Sequence, residues 1–190
     1  MSNELQGRKI AFLAASGVEQ VELTQPWSAV QDAGGTPVLV STEEDEVQAF
    51  HHDVDKGDTF RPDALVDAVT VADFDALVLP GGTTNPDRLR TIEEAVEFVH
   101  GFARQGKPVA AICHGPWTLV EAGVVRGKEL TSWPSLQTDI RNAGGEWQDQ
   151  EVVVCERAGW SLITSRKPDD LPAFTRALVA AFAHRSPDRP

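Results

Sequence analysis

Pro108-Val109-Ala110-Ala111-Ile112-Cys113-His114-Gly115-Pro116 reads as a short buried strand that ends on a cysteine and turns at once into a helix. The helix is predicted over His114–Ala122 and is stopped by Gly123. A strand–turn–helix with its reactive residue at the bend is a nucleophile elbow. Such a bend forces strained backbone angles on the central residue, so the positions two away must be small. Here they are Ala111 and Gly115. A helix start also offers free N–H groups and a partial positive charge, which predicts a thiol pKa below that of an ordinary cysteine. The competing reading is a buried structural cysteine. The strand-end placement, the small flanks and the adjacent histidine favour reactivity.

On either side of this run the chain alternates strands and helices. Lys9–Ala15, Pro37–Ser41 and Ala76–Pro80 are apolar throughout, as strands buried on both faces are. Helices are predicted at Val21–Ala33, with Gly34-Gly35 as its stop, and at Ile92–Gln105. Residues 47–60 break the rhythm and read as a β-hairpin or irregular excursion at the sheet edge, with Lys56-Gly57-Asp58 as its turn. The last third continues with a strand Glu129–Trp133, a helix Pro134–Asn142, strands Val152–Cys155 and Trp160–Thr164, and an amphipathic helix Leu171–His184. The order predicts an α/β fold with a mostly parallel sheet covered by helices on both faces. A right-handed β-α-β topology is taken to set the first strand beside the Cys113 strand.

The 190 residues suit a single domain spanning residues 1–190, with a core at about 9–182. A net charge of −12 argues against direct nucleic-acid binding. The acidic stretch Glu43-Glu44-Asp45-Glu46 reads as a solvated loop. No apolar run is long enough for a bilayer, and the polar N-terminus has no secretory pattern, so a cytoplasmic location is expected. Two cysteines make no disulfide framework, and the five histidines show no metal-ligand spacing with them.

Several side chains qualify for the site. His114 is a base, or contributes only its backbone N–H; adjacent side chains in a turn diverge, so contact with Cys113 is not dictated. Gly81-Gly82 ends a strand and allows backbone N–H groups to approach an oxyanion, with that of His114. Glu19 and Glu22 both follow the first strand, and either reaches the thiol; a carboxyl there has a raised pKa and donates a hydrogen bond. Cys155, in a β-branched run, reads as buried without chemistry. Trp27, Trp117, Trp133, Trp147 and Trp160 read as core and interface anchors.

With these residues the chain resembles the PfpI/ThiJ superfamily, and within it the PfpI (intracellular protease I-like) branch. The matching segments are 17–23, 74–82, 86–90, 107–116, 130–134 and 142–147, in family order. The resemblance implies a flavodoxin-like three-layer sandwich related to class I glutamine amidotransferase domains, with no cofactor. It implies Cys113 as nucleophile, His114 as its partner, and Glu22 as the buried acid beside the sulfur. It further implies Asp87, where some members have Glu, as an acid reaching the histidine from an adjacent subunit of a homo-oligomer, with Gly82 and His114 as backbone oxyanion donors. The implied activity is a stress-response cysteine hydrolase: a deglycase acting on carbonyl adducts of proteins or nucleotides, or a peptidase. Two alternatives are a redox-sensing or chaperone-like protein using an oxidisable Cys113, and a cofactor-independent glyoxalase.

Overall fold

The computed structural model describes residues 3–184. Met1, Ser2 and the last six residues of the expected 1–190 span lie outside the described residues. In chain order the elements are β1 (Lys9–Leu13), β2 (Val18–Glu19), α1 (Gln20–Asp32), β3 (Thr36–Ser41), β4 (Val47–His51), β5 (Asp55–Phe60) and β6 (Ala64–Leu65). There follow β7 (Ala76–Leu79), α2 (Thr84–Leu89), α3 (Glu93–Arg104), β8 (Val109–Ile112), α4 (Pro116–Glu121) and β9 (Glu129–Leu130). The chain closes with α5 (Gln137–Asn142), β10 (Glu146–Trp147), β11 (Val152–Cys155), β12 (Leu162–Ser165) and α6 (Leu171–Ala183).

Seven strands form the central sheet in the order β11-β12-β8-β7-β1-β3-β6. Every pair is parallel except β11 with β12. Alternation along each strand divides the core in two. Ala11, Leu13, Leu77, Leu79, Val109 and Ala111 pack on one face with Phe98 and Phe102 of α3, Leu119 of α4 and Ile140 of α5. Ile10, Phe12, Val78, Ala110 and Ile112 pack on the other with Leu23 and Val30 of α1 and Phe174, Leu178 and Phe182 of α6. The result is the expected three-layer α/β sandwich. Among the described residues no helix is long and apolar enough to cross a membrane.

Three expectations are corrected. First, β1 does not neighbour β8; β7 lies between them. From β1 the chain winds outward through β3 and β6, then returns to the other side of β1 as β7. The sheet order therefore reverses between β1 and β7, and such a switch opens a crevice beyond the carboxyl ends of the strands. Second, the 47–60 excursion is a hairpin, but it pairs with β2 in a separate three-stranded sheet rather than extending the central one. Its turn falls at 52–54, where His52 and Asp53 have φ 55° and 62°. Gly57 lies within β5 and serves close packing: a Cβ there would stand 2.1 Å from Gln20 Oε1. Third, the strand expected over Glu129–Trp133 ends at Leu130, and the helix expected from Pro134 begins as a 3-10 turn before α5.

Candidate active site

β8 delivers Cys113 to the crevice at φ 61°, left-handed backbone for a residue with a side chain. That conformation costs roughly 1–2 kcal/mol. It is held from three sides: Cys113 N–H donates to Ser165 O at 3.1 Å, Trp133 N–H donates to Cys113 O at 2.8 Å, and Gly115 N–H donates to Ile112 O at 2.9 Å. Gly115 is required by space, since a Cβ would meet Leu79 O at 2.5 Å. The tight bend leaves two backbone N–H groups, those of His114 and Gly82, near the sulfur, where they favour its thiolate.

Glu22, in the first turn of α1, is fully buried and reaches the sulfur across the end of β7. The path exists because position 81 has no side chain: a Cβ on Gly81 would lie 2.4 Å from Glu22 Oε2 and 2.6 Å from Cys113 Cβ. Gly81 N–H donates to Glu22 Oε2 at 2.9 Å, and the carboxyl also engages the thiol. Oε1 is buried with no partner of ordinary hydrogen-bond geometry among the described residues. Burial, then the neighbouring charge of Glu19, pushes the Glu22 carboxyl up to about 8, against the lowering effect of its hydrogen bonds. Glu22, and not Glu19, is the acid at the sulfur; Glu19 acts on it through charge.

The thiol is also pushed up, chiefly by burial and next by the charge of Glu22. The His114 and Gly82 N–H groups oppose this and do not outweigh it. The expected low thiol pKa is therefore corrected for the resting chain: a single helix start is a weaker influence than a buried carboxyl against the same sulfur. The pair behaves as one unit in which, at neutral pH, the sulfur and the carboxyl each keep a proton.

His114 is in contact with its neighbour: Nδ1 lies 3.2 Å from Cys113 Sγ. Its other nitrogen lies 3.4 Å from Ser135 Oγ. Trp133 stacks on the ring, with centroids 5.7 Å apart, and Trp117 closes on it at 5.3 Å. Burial lowers the histidine's pKa, and the charge of Asp53 works against that. The ring is thus neutral at neutral pH and able to accept the thiol proton.

The structure brings Cys113, His114, Glu22 and the Gly82 N–H together, but not Asp87. Asp87 lies exposed on α2, and its carboxylate makes no hydrogen bond or ion pair among the described residues. Sequence reading also missed several supports. Asn85 is fully buried and accepts Ala15 N–H at 2.7 Å while donating to Pro80 O and Gly81 O. Glu43, expected to be solvated, accepts from the Ser16 N–H and hydroxyl at 2.8 and 2.5 Å. Trp117 and Trp133, expected as anchors only, flank the histidine. Asp53 left one readable signal, since Asp tolerates left-handed turns better than most residues. Cys155 is buried, as expected, and accepts Glu129 N–H through sulfur.

The DJ-1/PfpI family model matches residues 8–181. The chain belongs to the DJ-1/PfpI family. It is 42% identical over 171 residues to Deglycase PH1704 of Pyrococcus horikoshii, covering 90% of this chain and 97% of that protein. It is 38% identical over 174 residues to General stress protein 18 of Bacillus subtilis, covering 92% and 97%. Among solved structures it resembles a two-domain protein of Anabaena variabilis containing DJ-1/ThiJ/PfpI-like and ferritin-like domains. That match has a TM-score of 0.84 and 32% identity, over 96% of this chain and 52% of the other.

Proposed function

We propose that this DJ-1/PfpI family chain is a cysteine-dependent hydrolase of the deglycase type, acting on early carbonyl adducts of proteins or nucleotides in the cytoplasm under stress. One observation carries the reading. The Cys113 sulfur is presented on a strained elbow, with a proton acceptor at 3.2 Å and two backbone N–H groups at the same atom. Because the resting thiol is protonated, attack is concerted with proton removal. Sγ bonds to the carbonyl or acyl carbon as its proton passes to His114 Nδ1, and the carbonyl electron pair moves onto oxygen. The Gly82 and His114 N–H groups then receive that oxyanion. On a peptide, His114 returns the proton to the departing nitrogen and water releases the acyl group from Sγ. On a carbinol adduct, the amine or thiol first departs with the carbinol hydroxyl proton, leaving the aldehyde that Sγ attacks. The carbon-bound proton of the resulting hemithioacetal then moves through the enediol to the neighbouring carbonyl carbon, giving a 2-hydroxyacyl thioester that water hydrolyses. Protonated Glu22 donates a hydrogen bond to sulfur whenever it carries negative charge. The relatives named as a deglycase and a stress protein support the class.

The test is turnover of methylglyoxal adducts of cysteine, lysine and arginine, of free methylglyoxal, and of a peptide panel. Cys113→Ser is expected to lose activity at least about a thousandfold and His114→Ala about a hundredfold. Adduct turnover by wild type no higher than by Cys113→Ser would refute the reading. Peptide or free-methylglyoxal turnover alone would reassign it to a peptidase or a glyoxalase.

The second reading, a redox sensor or chaperone-like protein, draws on the unpartnered Glu22 Oε1. A sulfinate on Cys113 would present oxygens to a protonated Glu22. Mild peroxide should then add oxygen at Cys113 and not at Cys155; preferential oxidation of Cys155 would sink it.

A further inference from the structure

The hairpin of β4 and β5 is anchored so that its tip meets the site. β4 pairs with β2 at Val18–Ala49 and Glu19–Phe50. Gln20, which opens α1, accepts the Asp58 N–H at 2.7 Å and donates to Asp58 Oδ2 at 2.6 Å, in the space that Gly57 leaves. Gln48 N–H donates to Ser16 Oγ at 3.0 Å, and Gly17 N–H donates to Gln48 O at 2.9 Å.

At the tip, His52 and Asp53 both hold left-handed backbone angles. A tight hairpin turn asks for such angles at its central residues, and Asp tolerates them better than most side chains. What Asp53 gains is Thr83: Oδ1 accepts the Thr83 N–H at 2.7 Å, and Oδ2 accepts its hydroxyl at 2.9 Å. Thr83 directly follows Gly82, whose N–H favours the Cys113 thiolate, in a loop that packs so closely on the nucleophile that a Cβ on Gly81 would lie 2.6 Å from Cys113 Cβ. Gly82 is at φ 75° and so closely packed that a Cβ would stand 2.2 Å from Gly17 O. The 81–83 loop is therefore pressed on one side by the backbone before β2 and gripped on the other by Asp53. Asp53 is exposed, its carboxylate sits on Thr83, and its charge works to raise the pKa of both Glu22 and His114.

We propose that Asp53 is a positioning residue of the site: by holding both polar groups of Thr83 from the hairpin tip, it keeps the Gly82 N–H directed at the Cys113 sulfur and at the oxyanion formed by its attack. The oxyanion half of this rests on the hydrolase reading above; the sulfur half does not. An aspartate that only capped α2 would alter stability and leave the sulfur unchanged.

The experiment compares wild type with Asp53→Ala, Asp53→Asn and Thr83→Ala in three measurements. These are iodoacetamide alkylation of Cys113 against pH, read by mass spectrometry on its own peptide, adduct turnover, and thermal denaturation. Loss of the grip weakens a hydrogen bond to the thiolate, so Asp53→Ala is expected to shift the alkylation profile alkaline by about one pH unit. Its kcat should fall about tenfold or more with KM within about twofold, as for a misdirected oxyanion donor. Asp53→Asn keeps an acceptor for the Thr83 N–H and should recover to within about threefold of wild type. Asp53→Ala with a wild-type alkylation profile, or Asp53→Asn as impaired as Asp53→Ala, overturns the proposal. If Asp53→Ala does not fold, Thr83→Ala decides: a partial alkaline shift supports the grip, and a wild-type profile overturns it. Alkylation needs no substrate, so a wild type inactive on adducts would refute the hydrolase reading while the role of Asp53 is still decided.

Discussion

Glu22 and Cys113 meet only because position 81 lacks a side chain, and their meeting sets the chemistry of both. The Glu22 carboxyl titrates at about 8 in the folded chain, against an ordinary value of 4.5. Between those values the folded chain keeps a proton that the unfolded chain has released, so stability falls as pH rises through that window. Glu22→Gln removes this dependence. The variant's melting temperature, measured relative to wild type, is expected to climb from about pH 5 to about pH 8, with up to about 1.4 kcal/mol per unit of pKa shift behind it. An equal difference at both ends would show that the buried carboxyl is not the group responsible. At this scale the nucleophile was legible, because an elbow needs small residues at fixed offsets and Ala111 and Gly115 supply them. Asp53 was not. Its role depends on Thr83, 30 positions away, and no local pattern encodes that pairing.

Elements were legible where one periodicity governs them, as in β8 or α3, and less so where two needs compete. The hairpin turn was misplaced because Lys56-Gly57-Asp58 has turn chemistry, yet Gly57 is there to admit Gln20. The residue just before β9 is a comparable surprise: Lys128 is a fully buried amine that no apolar pattern foretells, and it reaches the β11–β12 connection. Its Nζ donates to Arg157 O and to Trp160 O, and it lies 3.9 Å from the centroid of the Trp160 ring. Burial pulls its pKa down to about 8. Lys128→Met would leave two carbonyls of this connection unpaired, at a cost of about 2–3 kcal/mol. Urea denaturation at neutral pH measures that loss. A variant as stable as wild type would mean that the carbonyls find water instead.

For the whole molecule, the layers were legible and the order of strands was not. Periodicity tells which residues face inward, but not which buried strand lies beside which. That is how β7 came to stand between β1 and β8. The same limit applies to Asp87. It is exposed on α2 with no hydrogen bond to the histidine of its own chain, and we propose that it completes the site of a second copy in a homo-oligomer. Mixing inactive Cys113→Ser and Asp87→Ala proteins should then restore part of the activity through hybrid assemblies. No recovery after demonstrated subunit exchange would place the third residue within one chain. The surroundings of Cys113 also bear on the protein's biogenesis. Segments around residues 19–22, 53, 81–83 and 113–114 must all be in place before the sulfur is shielded and its proton held. Such distant pairings come late in folding. Until then Cys113 is an ordinary exposed thiol, more open to indiscriminate oxidants than the finished protein's. The newly made chain, rather than the mature one, is where chance damage to the nucleophile should concentrate.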